Sequence, residues 1–105
     1  MGSWVKMAAV SEISPGRGKE FVVGDRVIAV FHTVDGQFLA LDGVCAHNGG
    51  PLAKGCVIGT VVTCPWHGWQ FDLTTGCHRL TPTIRQTSFP VRIEEGQVFI
   101  ELPES

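Results

Sequence analysis

Arg26-Val-Ile-Ala-Val-Phe-His-Thr-Val34, then Asp35-Gly36, then Gln37-Phe-Leu-Ala-Leu41: these residues decide the fold class. Apolar and β-branched side chains fill both alternating sets of the first run, the pattern of a strand covered on both faces. An Asp-Gly pair between two apolar runs signals a hairpin, because a two-residue turn needs positive φ at its central positions. Working outward, Trp4–Ala9 reads as a short strand. Phe89, Val91 and Ile93 alternate with Pro90, Arg92 and Glu94, and Glu95-Gly96 turns that strand into Gln97–Leu102. No apolar 3.6-residue period persists long enough for a helix. The chain is expected to be all-β, a small antiparallel β sandwich or barrel.

A chain of 105 residues is expected to form one domain with one core, and 44% apolar against 17% charged residues excludes disorder. The net charge of -2 comes from eight basic and ten acidic residues with no Lys/Arg cluster, which argues against nucleic acid or an anionic membrane as partner. No apolar run is long enough to span a bilayer, and no basic segment leads into an apolar one at the start. A cytoplasmic protein is expected, and four cysteines in that compartment point to reduced thiols. Cysteines placed near histidines then point to metal.

The middle of the chain differs in kind. Residues 43–76 hold seven of the thirteen glycines and three of the four cysteines. We read a β scaffold, 1–42 and 80–105, around a loop-rich insert, 43–79. In the insert, Cys45-Ala-His47 and Cys64-Pro-Trp-His67 each supply one thiolate and one imidazole from a short loop. That donor set suits zinc or iron–sulfur chemistry and poorly suits magnesium or calcium, which take oxygen. One zinc ion would use all four in a tetrahedron. A two-iron cluster would place both cysteines on one iron and both histidines on the other. Ligand count does not choose between them.

The surrounding residues carry a resemblance. His47-Asn-Gly-Gly-Pro-Leu52 and Cys64-Pro-Trp-His-Gly-Trp-Gln-Phe-Asp72 resemble the two cluster-binding loops of the Rieske family. The resemblance implies a Rieske fold holding one [2Fe-2S] cluster, with Cys45 and Cys64 on the buried iron and His47 and His67 on the outer one. High-potential members carry Ser and Tyr hydroxyls at the positions of Trp69 and Phe71, and a disulfide at those of Gly50 and Trp66. Their absence implies a potential toward the low end of the roughly −150 to +300 mV Rieske range. The resemblance, with no catalytic motif beside it, also implies a one-electron carrier rather than an enzyme. Such a carrier passes electrons from an NAD(P)H-dependent flavoprotein reductase to a terminal ring-hydroxylating oxygenase. Both partners would meet a monomer at its histidine tip, formed by His47, His67, Trp66, Pro51 and Leu52, with Thr81-Pro82-Thr83 as a third loop. The alternative is a permanent subunit, like the Rieske-like small subunit of assimilatory nitrite reductase.

Outside the ligand pattern, Cys56 and Cys77 read as small, buried or half-buried thiols in turns, the sharper alternative being a disulfide that ties the insert to the third loop. His32 reads as structural or solvent-facing. Cys77-His78 reads as too extended for its two side chains to share one metal. Trp4, Phe21, Phe31, Phe38, Phe89 and Phe99 read as core.

Overall fold

The computed structural model describes residues 3–24, 26–43, 52–65, 68–80, 84 and 86–102. In chain order the strands are β1 (Ser3–Ala9), β2 (Arg17–Val23), β3 (Arg26–His32), β4 (Phe38–Asp42), β5 (Cys56–Ile58), β6 (Val61–Thr63), β7 (Gln70–Asp72), β8 (Ser88–Phe89), β9 (Val91–Glu94) and β10 (Gln97–Leu102). Short 3₁₀ turns occupy Val10–Glu12 and Leu52–Lys54, and no α-helix occurs among the described residues. Every strand pairing is antiparallel, in three sheets ordered β1-β10-β9, β2-β3-β4-β8 and β5-β6-β7.

Strand β3 lies at the centre, and its two-sided apolar pattern has a direct structural meaning. Ile28 and Val30 turn into one core with Ile13, Ala40, Phe89, Val98 and Ile100, which joins the middle sheet to β1-β10-β9. Ala29 and Phe31 turn the other way, into a second core with Leu41, Leu52, Val57, Val62, Cys64, Phe71 and Leu73, which corrects the expectation of one core: a middle strand apolar on both faces divides the interior in two. That core joins the middle sheet to β5-β6-β7. All four of these β3 side chains are fully buried.

The two turn signals behave differently. Glu95 and Gly96 both have positive φ, 50° and 74°, and connect Glu94 to its partner Gln97 as a two-residue turn. At Asp35-Gly36 only the glycine is left-handed. The loop there is longer, because Thr33 leaves the ladder. Its hydroxyl donates to Asp35 and accepts from the Gln37 N–H (3.0 Å), while its carbonyl takes the Gly36 N–H (3.0 Å). Local side-chain bonds of this kind compete with strand pairing. Strand β3 therefore stops at His32, two residues before the apolar run ends.

Pro90 splits the expected strand at 89–94. Lacking an N–H, it cannot continue a ladder as donor. Residues before it pair with β4, residues after it pair with β10, and its carbonyl accepts the Glu101 N–H at 3.0 Å. Of the aromatics assigned to the core, Phe31 and Phe89 are buried, while Phe21 and Phe38 pack at the edge of the first core. Trp4 is a correction: it is 37% exposed, and the Arg92 guanidinium lies 4.3 Å from its ring centroid. On an outer sheet the indole is covered by a long cationic side chain instead of a core.

Candidate metal centre

Three loops leave the second core, and one backbone hydrogen bond closes the base of each. The Leu52 N–H donates to the Gly43 carbonyl at 3.1 Å, closing 44–51. The Cys64 N–H donates to the Trp69 carbonyl at 2.7 Å, closing 65–68. The His78 N–H donates to the Ile84 carbonyl at 2.8 Å, closing 79–83. These bases converge: Leu52 and Cys64 are members of the second core, and Trp69 and Ile84 pack against it.

Short strands give this arrangement its register. Cys56, Val57 and Ile58 face Thr63, Val62 and Val61, which face Gln70, Phe71 and Asp72. A bridge from Phe71 to His78, with Asp72 N–H to Cys77 carbonyl and Arg79 N–H to Gln70 carbonyl (both 2.9 Å), adds 77–79 at the edge. Alternation then buries Val57, Val62, Phe71 and His78 on one face. Two residues further, the same register aligns Gly55, Cys64, Trp69 and Leu80.

Of the four ligand candidates, Cys64 is described: its side chain is 1% exposed. Cys45, His47 and His67 lie outside the described residues, as do Pro51, Trp66 and Thr81-Pro82-Thr83. Accordingly, no group of three or more metal-binding side chains occurs among the described residues. The described part fits a sulfur-ligated centre. A buried thiol stands at the mouth of a tight hairpin, on an apolar floor of Leu52, Val62 and Phe71. A soft donor shielded from water is what an iron–sulfur site takes from its protein.

Leu52 is a second correction. Placed on the solvent-facing tip by the resemblance, it is fully buried, because the chain doubles back at the loop base and carries it inward. Leu80 is the residue the sequence did not reveal. It is 89% exposed, and its N–H donates to His78 Nδ1 at 3.1 Å. No periodicity or motif marks it. The His78 ring is buried edge-on against Trp69 and Phe71, with centroids 4.5 and 5.5 Å apart. Its fixed place in the core accounts for the residue without any metal.

Cys56 is exposed in β5 and Cys77 is half-buried, and both thiols are free. Three strand spacings separate their chain segments, about 14 Å. A disulfide needs Cα atoms within roughly 7 Å, so these two do not pair within one chain. His32 is structural: its Nδ1–H donates to the Ile13 carbonyl at 2.7 Å, and its ring stacks on Phe38 at 4.1 Å. Asp72 is the one acid near the site with a displaced titration. The Thr74 hydroxyl (2.5 Å), followed by the Thr74 and Thr75 N–H groups and the Arg79 charge, holds its carboxyl below the usual 3.8 against a smaller effect of burial.

An all-β module of three antiparallel sheets, with loops closed over a buried cysteine, is thus the class that fold and site define. Residues 3–94 match the Rieske [2Fe-2S] domain, and the chain belongs to that family. Ferredoxin CarAc of Metapseudomonas resinovorans is 34% identical over 99 residues, which is 92% of this chain and 92% of that protein. The complex of reduced oxygenase and oxidised ferredoxin in carbazole 1,9a-dioxygenase contains a chain that superposes with TM-score 0.83 at 33% identity. The match spans 93% of this chain and 92% of that one. A chain described as an NADH-dependent nitrite reductase small subunit from Mycobacterium tuberculosis superposes with TM-score 0.92 at 23% identity, over 100% of this chain and 99% of the other. At that identity the likeness concerns the fold. The cofactor of the family is the [2Fe-2S] cluster that the resemblance of the two loops implied.

Proposed function

We propose that this chain is a Rieske-type ferredoxin, a one-electron carrier between an NAD(P)H-dependent flavoprotein reductase and a terminal ring-hydroxylating oxygenase. The observation that carries this reading is the end-to-end match with CarAc: nearly the whole of this chain corresponds to nearly the whole of a ferredoxin. We assign Cys45 and Cys64 as thiolate ligands and His47 and His67 as imidazole ligands, within the insert 43–79 that the scaffold 1–42 and 80–105 supports. When bound, the [2Fe-2S] cluster supplies reversible one-electron chemistry with a charge change of one unit.

The protein's own part is to hold, shield and expose. The hydrogen bond from the Cys64 N–H to the Trp69 carbonyl fixes the hairpin from which the thiolate projects. Leu52, Val62 and Phe71 exclude water beneath it. Trp69 and Phe71 offer no hydroxyl and the chain has no Tyr, which supports a potential low in the Rieske range. Both partners meet the loop end, with His47, His67, Trp66 and Pro51 as its contact residues and Leu52 withdrawn from that set. Cys56 and Cys77, which form no disulfide, support a reducing, cytoplasmic setting.

Iron, acid-labile sulfide and the visible spectrum of the purified chain test this. Two irons and two sulfides per chain, with a midpoint potential below about +100 mV, are expected. A colourless chain with one zinc, or a midpoint well above that value, overturns it. Gel filtration separates the alternative, a permanent reductase subunit: the carrier elutes as a monomer, the isolated subunit aggregates.

A further inference from the structure

Charge divides unevenly along the chain. Residues 43–85 contain Lys54, Arg79 and Arg85 against a single carboxylate, Asp72, a balance of +2. The other residues contain five basic and nine acidic groups, a balance of −4, which gives the net -2. An overall acidic molecule therefore has a basic loop end.

The structure sets two of these cations on the segments either side of the hairpin that carries Cys64. Lys54 is exposed at the end of the 3₁₀ turn that follows the first loop. Its neighbour Gly55 lies so close to β6 that an added Cβ would sit 2.3 Å from the Thr63 carbonyl, so Lys54 is one residue along the chain from the position that meets the Thr63–Cys64 peptide. Arg79 is exposed on the other side, its N–H bonded to the Gln70 carbonyl, one residue from Trp69. The two cations thus flank the Cys64–Trp69 hairpin, and neither forms an ion pair among the described residues. Asp72, the one opposing acid, is bonded to Thr74 and feels Arg79 only as the weakest of its stabilising influences. Leu80 completes the surface, an almost fully exposed apolar side chain on a backbone fixed by His78.

We propose that the loop end docks onto a protein face that sets carboxylates around an apolar hollow, Leu80 entering the hollow while Lys54 and Arg79 meet the acids. This rests on the carrier reading and adds to it the chemistry of the partner. Complementary charge of this kind steers encounter and fixes orientation more than it adds affinity.

The sign of a salt dependence tests the placement without knowledge of the partner. The cluster-loaded, reduced chain is mixed by stopped flow with hexacyanoferrate(III), which takes one electron and carries three negative charges. A second series uses tris(phenanthroline)cobalt(III), which takes one electron and carries three positive charges. Ionic strength runs from about 0.01 to about 0.5 M, where screening lengths fall from roughly 30 Å to a few ångströms. If the loop end is basic, the hexacyanoferrate rate falls by roughly tenfold across that range and the cobalt rate rises. Lys54→Glu with Arg79→Glu reverses both slopes. Lys6→Glu with Arg17→Glu, the same change of net charge on exposed scaffold positions, leaves both signs unchanged. Leu80→Asp slows hexacyanoferrate at low salt and leaves the rate at about 0.5 M unaltered, as expected for a charge set at the electron exit and fully screened. Slopes that follow the net charge of the whole chain, or equal effects of the two double variants, overturn this proposal while leaving a working carrier. A chain that binds no [2Fe-2S] cluster overturns the carrier reading and this one with it.

Discussion

Truncating Leu52 separates a floor residue from a docking residue. Its side chain is completely buried among the residues beneath Cys64, and Leu52→Ala removes about three carbon groups from that site. At roughly 0.8 kcal/mol per buried methylene this costs about 2.4 kcal/mol, and the cavity left behind raises the figure to about 3 kcal/mol. For a domain of this size, each kcal/mol lowers the melting temperature by about 4 °C, so a fall of roughly 12 °C is expected. Leu80→Ala, at an almost fully exposed position, should change stability by no more than about 0.5 kcal/mol.

The assay is a thermal melt of the cluster-loaded chain followed by far-ultraviolet circular dichroism and visible absorbance together, with wild type and both variants at one scan rate. Because loss of iron makes unfolding irreversible, the comparison is made between proteins and not with an equilibrium curve. Leu52→Ala should bleach and unfold early in a single event, since all three loop bases rest on the core it belongs to. A Leu52→Ala melt within about 3 °C of wild type, beside a large fall for Leu80→Ala, would refute the burial argument and restore Leu52 to the surface.

Gly76→Ala should be far more damaging than Gly24→Ala: both glycines have positive φ, but at Gly76 a Cβ would also lie 2.1 Å from the Gln86 carbonyl, whereas at Gly24 it meets open space. Expression and melting should show a cost of about 1 kcal/mol at Gly24 and a chain that fails to fold stably at Gly76. Asp72 titrates below 3.8, so its stabilisation is complete above that pH and is lost as pH falls through the depressed folded value. Thr74→Ala removes the largest cause, so the variant should bleach faster than wild type at pH 6, the two half-lives converging once pH falls through the depressed folded value. In thiol titration of the native chain Cys56 should react before Cys77, and mild oxidation should yield no intrachain disulfide by mass. Removing the cluster with chelator and reductant should abolish amide-exchange protection across 56–79 while sparing β3 and β10, because three-residue strands are marginal alone and the first core contains no loop-base residue.

Much of this was legible because period-two patterning needs only a few residues to speak. Both alternating sets of β3 are apolar, and β3 is buried on both faces. The Cys-His spacing at Cys45, His47, Cys64 and His67 was equally visible as a pattern, and of the four Cys64 alone lies among the described residues. Patterning was silent where elements are too short: β5, β6 and β7 have three residues each, so Cys56 read as a turn residue although it lies in a strand. Thr33 and Pro90 altered strand limits through bonds one side chain makes or one nitrogen cannot make. Leu52 and Leu80 were hidden for a different reason. Burial in a loop depends on where the chain returns, and nothing in Gly50-Pro51-Leu52 says that its last N–H meets Gly43.

That return path also explains how long, glycine-rich loops can hold a centre at all. Ordering each loop residue costs about 1–2 kcal/mol of backbone entropy, which one closing hydrogen bond of about 1 kcal/mol does not offset. The loops become affordable only as a group. Their closing bonds place Leu52, Cys64, Trp69 and Ile84 in or against one apolar core, so burial is shared among three closures. A metal centre ligated from two of the loops would add the remaining constraint from outside. The scaffold's first core is held by β strands that do not take part in these closures. A change at the loop end can therefore alter partner choice or potential without unfolding the sheets, provided it spares the residues at the loop bases.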